Sequence, residues 1–179
     1  NGEVLWQVSL EAGRVIRDMV SMGDQLIATI NDERDLLRSS QAQLISIDIK
    51  NQTYFPIWDA ETSTLTPPLI YRDKIVLRDA VKGLVFLEAK EPFNEIKSLE
   101  LENFSPYSPV IMGDQILVCD GSVMHNTVRL RSFDLNTYRQ LWESKPVGNM
   151  VSSFVPVENR YLVFSPDRRK LLMLDTDQP

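Results

Sequence analysis

The sequence predicts an all-β protein built from four similar repeats. A polar two-residue turn followed by an apolar run occurs four times, and the second residues of these turns lie 49, 41 and 45 residues apart. A later apolar run in every repeat ends on an acidic residue. No segment shows the apolar spacing of an amphipathic helix, so a helical repeat is excluded and short strands are predicted throughout.

The turn of each repeat marks its first hairpin, because polar pairs between apolar runs are typical of tight turns. The four copies are Gly23-Asp24-Gln25-Leu26-Ile27, Arg72-Asp73-Lys74-Ile75-Val76, Gly113-Asp114-Gln115-Ile116-Leu117 and Glu158-Asn159-Arg160-Tyr161-Leu162. The continuous apolar runs after the turns predict central strands that are buried on both faces. These runs are Leu26-Ile27, Ile75-Val76, Ile116-Leu117-Val118 and Leu162-Val163.

The apolar run that ends on an acidic residue is the third predicted strand of each repeat. In three of the repeats a fourth run follows it, at Phe55–Trp58, Glu95–Leu99 and Gln140–Glu143. The last repeat has no such run after Asp175. Joining the two ends of the sequence would place Trp6 ten positions after Asp175, which is also the offset from Asp48 to Trp58. We therefore expect residues 1–8 to pair with Lys170–Asp175 and to complete the last repeat, since an unpaired apolar edge promotes aggregation.

Four strands in each repeat of about 40–50 residues are typical of β-propeller blades. The predicted blades cover approximately residues 14–60, 61–103, 104–147, and 148–179 together with 1–8. Two kinds of closure remain open. The four blades form one ring within the chain, or they are half of an eight-bladed ring made by two chains or by a longer parent chain.

The third and fourth strands share a consensus of apolar residues, Asp, a Thr/Asn/Gly turn and Leu-Trp. The best copies are Phe133-Asp134-Leu135-Asn136-Thr137-Tyr138-Arg139-Gln140-Leu141-Trp142 and the split copy that ends Gly2-Glu3-Val4-Leu5-Trp6. This pattern resembles the pyrroloquinoline-quinone-like (PQQ-like) repeat family over nearly the whole chain. The resemblance implies rings of seven or eight blades and suggests a periplasmic or extracytoplasmic location, whereas the residues themselves leave the compartment open.

Composition excludes several classes of function. The net charge of −6 disfavours binding to nucleic-acid phosphates. No run of about 18 apolar residues is present, so no transmembrane segment is predicted. Cys119 is the single cysteine, which excludes an internal disulfide and a thiolate zinc cluster.

Several residues suggest chemistry, but each has a simpler structural interpretation. The acids that end the third strands, Asp48, Glu88, Asp134 and Asp175, could ring a metal, yet Asp before a Thr/Asn/Gly turn caps its own backbone. Asn31–Asp35 starts like a calcium loop but lacks the Gly and the final Glu. Cys119 and His125 are the one conceivable nucleophile–base pair, and Cys119 lies in an apolar strand where an inert thiol is expected. The recurring Trp residues are interpreted as packing between blades.

The PQQ-like family that this chain resembles includes quinoprotein dehydrogenases, scaffolds of outer-membrane protein assembly and sensor domains attached to kinases. The enzymes need an adjacent Cys pair and a complete circle of blades, and this chain has one Cys. We therefore predict no catalytic, cofactor-binding or metal-binding residues, and a non-enzymatic scaffold that binds a protein partner. Leu36 and Leu37, in the long loop Asn31–Ser40, are the predicted partner-binding residues. The alternative is half of a ligand-binding sensor or quinoprotein-type propeller, whose site forms only with further blades.

Overall fold

A computed structural model describes residues 2–32, 41–61, 65–102, 108–121, 128–147, 154–158, 160–165 and 170–175. The described residues contain fifteen strands: β1 (Arg14–Met22), β2 (Gln25–Asp32), β3 (Gln43–Asp48), β4 (Thr53–Asp59), β5 (Leu69–Tyr71), β6 (Lys74–Asp79), β7 (Gly83–Glu88), β8 (Glu95–Leu99), β9 (Val110–Met112), β10 (Gln115–Asp120), β11 (Arg129–Asp134), β12 (Gln140–Glu143), β13 (Phe154–Val157), β14 (Arg160–Ser165) and β15 (Lys170–Asp175).

These strands form four sheets in which each strand pairs with the next one along the chain. The orders are β1-β2-β3-β4, β5-β6-β7-β8, β9-β10-β11-β12 and β13-β14-β15. We call them the first, second, third and last sheets. Short up-and-down sheets that follow one another in this way are the blades of a β-propeller, the fold class that the repeat predicted.

The first residue of the hairpin turn has the same backbone conformation in all four repeats. Gly23, Arg72, Gly113 and Glu158 all have a positive φ, between 53° and 60°. Glycine adopts this left-handed conformation without a steric penalty, whereas Arg72 and Glu158 adopt it at a small cost. The left-handed conformation that each turn requires therefore accounts for the recurrence of the turn residues in the sequence.

The chain divides into two compact units, residues 1–98 and 99–179. In the first unit the first and second sheets pack face to face, and their core includes Ile27, Leu44, Ile75, Leu77 and Leu87. In the second unit the third and last sheets pack through a core that contains Leu117, Leu130, Trp142, Tyr161 and Val147. Each unit thus has its own apolar core between two sheets.

The expected double burial of the second strands is confirmed in the second and third sheets. Ile75, Val76, Ile116, Leu117 and Val118 are fully buried. Ile27 is also fully buried, but its neighbour Leu26 is only half-buried, and so is Leu162 in the last sheet. Leu26 lies on the face of the first sheet on which Trp6, Val8 and Leu10 pack, and Leu162 lies on the face of the last sheet opposite Tyr161.

The expected pairing of residues 1–8 with Lys170–Asp175 would join the two units, and it stays a prediction. Within the described residues, residues 2–10 belong to no strand and the last sheet has three strands. In the first unit, Trp6, Val8 and Leu10 pack on the face of the first sheet that is opposite its core with the second sheet. Three residues connect Leu10 to β1, so the segment reaches this face with little loss of loop entropy.

The tryptophans have the packing role expected from their repeat positions. Trp142 is buried in the core of the second unit. Trp58 is partly buried against the core of the first unit, and Trp6 contacts the first sheet. A large aromatic side chain at each of these places fills the gap at a sheet surface.

Candidate binding cleft and exposed sheet face

The recurring acids cap turns where the structure shows their hydrogen bonds. Asp48 Oδ1 accepts hydrogen bonds from the backbone N–H groups of Lys50 and Asn51, both at 2.9 Å. Asp134 Oδ1 accepts the equivalent bonds from Asn136 at 2.9 Å and Thr137 at 2.7 Å. The hydrogen bonds from Asn51 lower the pKa of Asp48. The turn-capping interpretation is confirmed at these two positions.

The other two acids have different partners. Glu88 Oε2 accepts a hydrogen bond of 3.2 Å from Asn94 Nδ2. Asp175 Oδ2 lies 3.9 Å from Arg160 Nε on the neighbouring strand. In the part of the chain that the structure describes, no group of three or more His, Cys, Asp or Glu side chains is arranged to hold a metal ion.

Asp120, at the end of β10, is a buried carboxylate, and each of its two oxygens has a polar partner. Its Oδ1 accepts a hydrogen bond of 2.9 Å from the Gly121 N–H, and its Oδ2 pairs with Arg131 Nη1 at 2.7 Å. Arg131 Nε also lies 3.6 Å from Glu143 Oε2. The other carboxylate oxygen of Glu143 pairs with Arg129 Nη1. A buried charge requires such partners, so this network is explained by structure and does not indicate a reactive acid.

Several residues singled out in the sequence lie outside the described residues. These are Leu36, Leu37, His125 and most of the Asn31–Asp35 segment. Cys119 is described and is buried in the core of the second unit. The partner-binding assignment of Leu36 and Leu37 therefore stays a prediction.

The first unit contains an open cleft that sequence patterns did not indicate. One wall is the β1–β2 turn, from Met22 to Gln25, and the other consists of Ala89, Lys90, Glu91 and Phe93, after β7. Its volume is about 460 Å³. The Ala89 N–H donates a hydrogen bond of 2.8 Å to the Asp73 carbonyl, which anchors the second wall to the β5–β6 turn. The Phe93 ring is held by Phe55, with 6.3 Å between the ring centroids.

The cleft combines an apolar lining with charges at its edge. Met22, Ala89 and Phe93 are apolar and at most half-exposed, whereas Asp24, Lys90 and Glu91 are exposed. Within the described residues the side chains of these three charged residues take part in no hydrogen bond or ion pair. Two carboxylates and one ammonium group are thus available to a bound molecule.

A second exposed apolar surface covers the outer face of the last sheet. Val155, Val157, Leu171 and Met173 are between 41% and 63% exposed. Leu162 pairs with both Val155 and Met173, so these side chains share one face. The opposite face carries Tyr161, Leu172 and Leu174, which pack in the core. The runs Phe154–Val157 and Leu171–Leu174 contain no polar residues. A strand with one solvated face usually alternates apolar and polar residues, so these runs are the sequence signal from which two apolar faces could have been predicted.

No family model matches the chain, and no curated protein matches it in sequence. Several solved structures are similar. BamB from Moraxella catarrhalis matches with a TM-score of 0.61 and 14% identity over 98% of this chain and 49% of BamB. The Cps50 (Swd1) β-propeller domain from Myceliophteria thermophila has a TM-score of 0.64 and 8% identity over 93% of this chain and 52% of that domain. A europium-containing methanol dehydrogenase has a TM-score of 0.59 and 13% identity over 80% of this chain and 27% of the enzyme.

At these identities the similarity concerns the fold alone, and it establishes the β-propeller fold of this chain. The chain spans about half the length of BamB and of the Cps50 domain. Among the described residues there is no helix of the length and hydropathy that a bilayer crossing requires.

Proposed function

We propose that the chain is a non-enzymatic β-propeller scaffold that binds an extended segment of a partner protein in the cleft of the first unit. The observation that carries the proposal is the cleft itself, in which an apolar lining lies beside charged groups without partners. Its volume of about 460 Å³ is in the range of sites that enclose a few side chains.

The chemistry of the cleft favours a partner segment with a lysine or arginine. The aliphatic stem of such a side chain can lie on Met22 and Ala89 while its charged end approaches Asp24 or Glu91. A basic segment is also attracted by the net charge of −6 of the whole chain. Lys90 offers a donor to a carbonyl or carboxylate of the same segment.

The test is to select binding peptides from a random peptide library and to measure their affinities by fluorescence anisotropy. Selected peptides should be enriched in Lys or Arg next to an aliphatic residue. Their affinity should fall as salt is raised, because the charges at the cleft edge are exposed.

A charge-reversed variant, Asp24→Lys with Glu91→Lys, should bind these peptides roughly tenfold more weakly. The matched control is Asp114→Lys, because Gly113-Asp114-Gln115 repeats the tripeptide Gly23-Asp24-Gln25 in the second unit. The control should bind as the original chain does. Equal loss in both variants, or peptides without basic residues, would contradict the proposed site. A small molecule retained through purification, with no peptide selected, would favour the ligand-binding alternative.

A further inference from the structure

We infer that a pocket of the first unit, between the N-terminal segment and the first sheet, binds a free amino acid with a small aliphatic side chain. The volume of this pocket is about 210 Å³. The residues that line it are Leu10, Glu11, Arg14, Ile30, Gln43, Tyr54 and Pro56. The inference goes beyond the proposed function, since none of these residues lines the cleft.

The strands of the first sheet form one side of the pocket. Ile30 of β2 and Gln43 of β3 are partners in the sheet register, so their side chains are on the same face. Tyr54 and Pro56 are two residues apart on β4 and also share a face. Leu10, just before β1, packs on the apolar cluster that contains Ile30. The pocket therefore offers carbon atoms from both sides to a small apolar group.

Arg14 provides the positive charge of the pocket. Its Nη1 donates a hydrogen bond of 2.7 Å to the Gln41 carbonyl oxygen, which anchors the guanidinium. A guanidinium has five N–H donors, and in the part of the chain that the structure describes the others on Arg14 make no hydrogen bond or ion pair. The side chain is half-buried. These donors suit a carboxylate, which accepts strong charge-assisted hydrogen bonds from a guanidinium.

Glu11 and Gln43 provide acceptors in the same pocket. Within the described residues the Glu11 carboxylate takes part in no hydrogen bond or ion pair. Gln43 Nε2 donates a hydrogen bond of 2.8 Å to Asp59 Oδ1, so the amide oxygen of Gln43 is left as an acceptor. An ammonium group is the complement of these two acceptors. One guanidinium, one carboxylate and apolar walls together match an amino acid, which has a carboxylate, an ammonium group and a side chain.

The volume of the pocket limits the side chain of this ligand. A cavity of about 150 Å³ in another protein holds one benzene molecule. By that measure a pocket of about 210 Å³ has room for about eight or nine non-hydrogen atoms, which is the size of valine or leucine. Larger amino acids such as tryptophan exceed this volume.

The test is isothermal titration calorimetry of the full chain with millimolar L-leucine, for which we expect weak, saturable binding. Two analogues keep the carbon skeleton. The amine 3-methylbutylamine lacks the carboxylate and should bind roughly tenfold more weakly than leucine, because it loses the hydrogen bonds to the half-buried Arg14. The acid 4-methylpentanoate lacks the ammonium group and should bind roughly threefold more weakly, because Glu11 is exposed.

Two variants assign these effects to residues. Glu11→Gln should weaken leucine roughly threefold and leave 4-methylpentanoate unchanged, since that analogue has no ammonium group. Arg14→Gln should weaken both ligands roughly tenfold. The matched control is Arg17→Gln, which removes the same charge from β1 at a residue that does not line the pocket. This control should bind leucine as the original chain does. Circular dichroism checks that each variant is folded.

Absence of leucine binding by the original chain would overturn the inference. So would equal leucine affinity in the Arg14→Gln and Arg17→Gln variants, or 4-methylpentanoate that binds as tightly as leucine, which would indicate a site for apolar carboxylates instead. The affinity of Glu11→Gln for the selected basic peptides should stay unchanged, which separates failure here from failure of the proposed cleft.

Discussion

The third and last sheets come from equivalent repeats in the same unit, but their burial differs. In β10 of the third sheet, Ile116, Leu117 and Val118 are all fully buried. In the last sheet one face packs in the core, and the other carries half-exposed valine, leucine and methionine side chains. Similar strand sequences in one unit therefore differ in burial, and this difference is not visible in the apolar runs themselves.

The largest expected effect is at the centre of the third sheet. Ile116→Ala or Leu117→Ala should lower the free energy of unfolding by about 2–5 kcal/mol, because each leaves a cavity in a packed core. Leu171→Ala in the last sheet should cost less than about 1 kcal/mol, since that side chain is already largely exposed. Denaturant unfolding of the three variants measures the difference. Equal losses at Leu117 and Leu171 would contradict the contrast between the two sheets.

The next effect concerns Tyr161, a fully buried side chain of the last sheet in the core of the second unit. Its hydroxyl is buried without a hydrogen-bond partner, and burial raises the pKa of Tyr161 to about 12. An unfolded tyrosine loses its proton near pH 10, so the unfolded state is favoured as the pH rises from about 10 to about 12. Stability should therefore fall in this interval, and Tyr161→Phe should reduce the fall.

The measurement is the free energy of unfolding of both forms at pH 8 and at pH 11. At pH 8 the Tyr161→Phe variant should be as stable as the original chain or slightly more stable, because it removes an unsatisfied buried hydroxyl. An identical loss between the two pH values in both forms would show that Tyr161 does not cause the pH dependence.

A smaller effect is expected at the turn caps. Asp134→Ala removes two hydrogen bonds to the backbone of the β11–β12 turn and should cost about 1 kcal/mol. Asp134→Asn keeps an acceptor oxygen and should restore most of this stability. Asp175→Ala removes an ion pair of 3.9 Å with Arg160, whose side chain is largely exposed, and should have less effect than Asp134→Ala. Thermal unfolding of the three variants distinguishes a cap from a surface charge.

The smallest effect on stability is expected for Leu36→Ser with Leu37→Ser. These residues are predicted to contact a partner, so the double variant should weaken partner binding and leave the melting temperature nearly unchanged. The opposite result, a large loss of stability with normal binding, would assign both side chains to the core.

The sequence predicted the strands well because the physical causes are local. A left-handed turn residue, an apolar run and an acid that caps its own turn are all visible within one repeat, as at Gly113, Ile116 and Asp134. The contact of the N-terminal segment with the first sheet was not predictable in the same way. Trp6 has the offset of a fourth strand, but the surface on which it packs depends on which apolar face is within reach, and the structure places it on the first sheet.

The cleft left no signal in the sequence at all. Its two walls, the turn at Gly23 and the residues from Ala89 to Phe93, are more than 60 positions apart and contain no shared motif. Their proximity follows from the packing of the first sheet on the second. A site of this kind, made of ordinary turn residues, is visible only when the fold is known.

Hydrogen exchange of the full chain with and without a selected basic peptide tests the proposed function most directly, because it locates binding without any substitution. The amides around Met22–Gln25 and Ala89–Phe93 should exchange more slowly when the peptide is bound, while those of the matched turn at Gly113–Gln115 should not change. Protection confined to other parts of the chain, with none at these two walls, would contradict the assignment of the cleft as the partner-binding site.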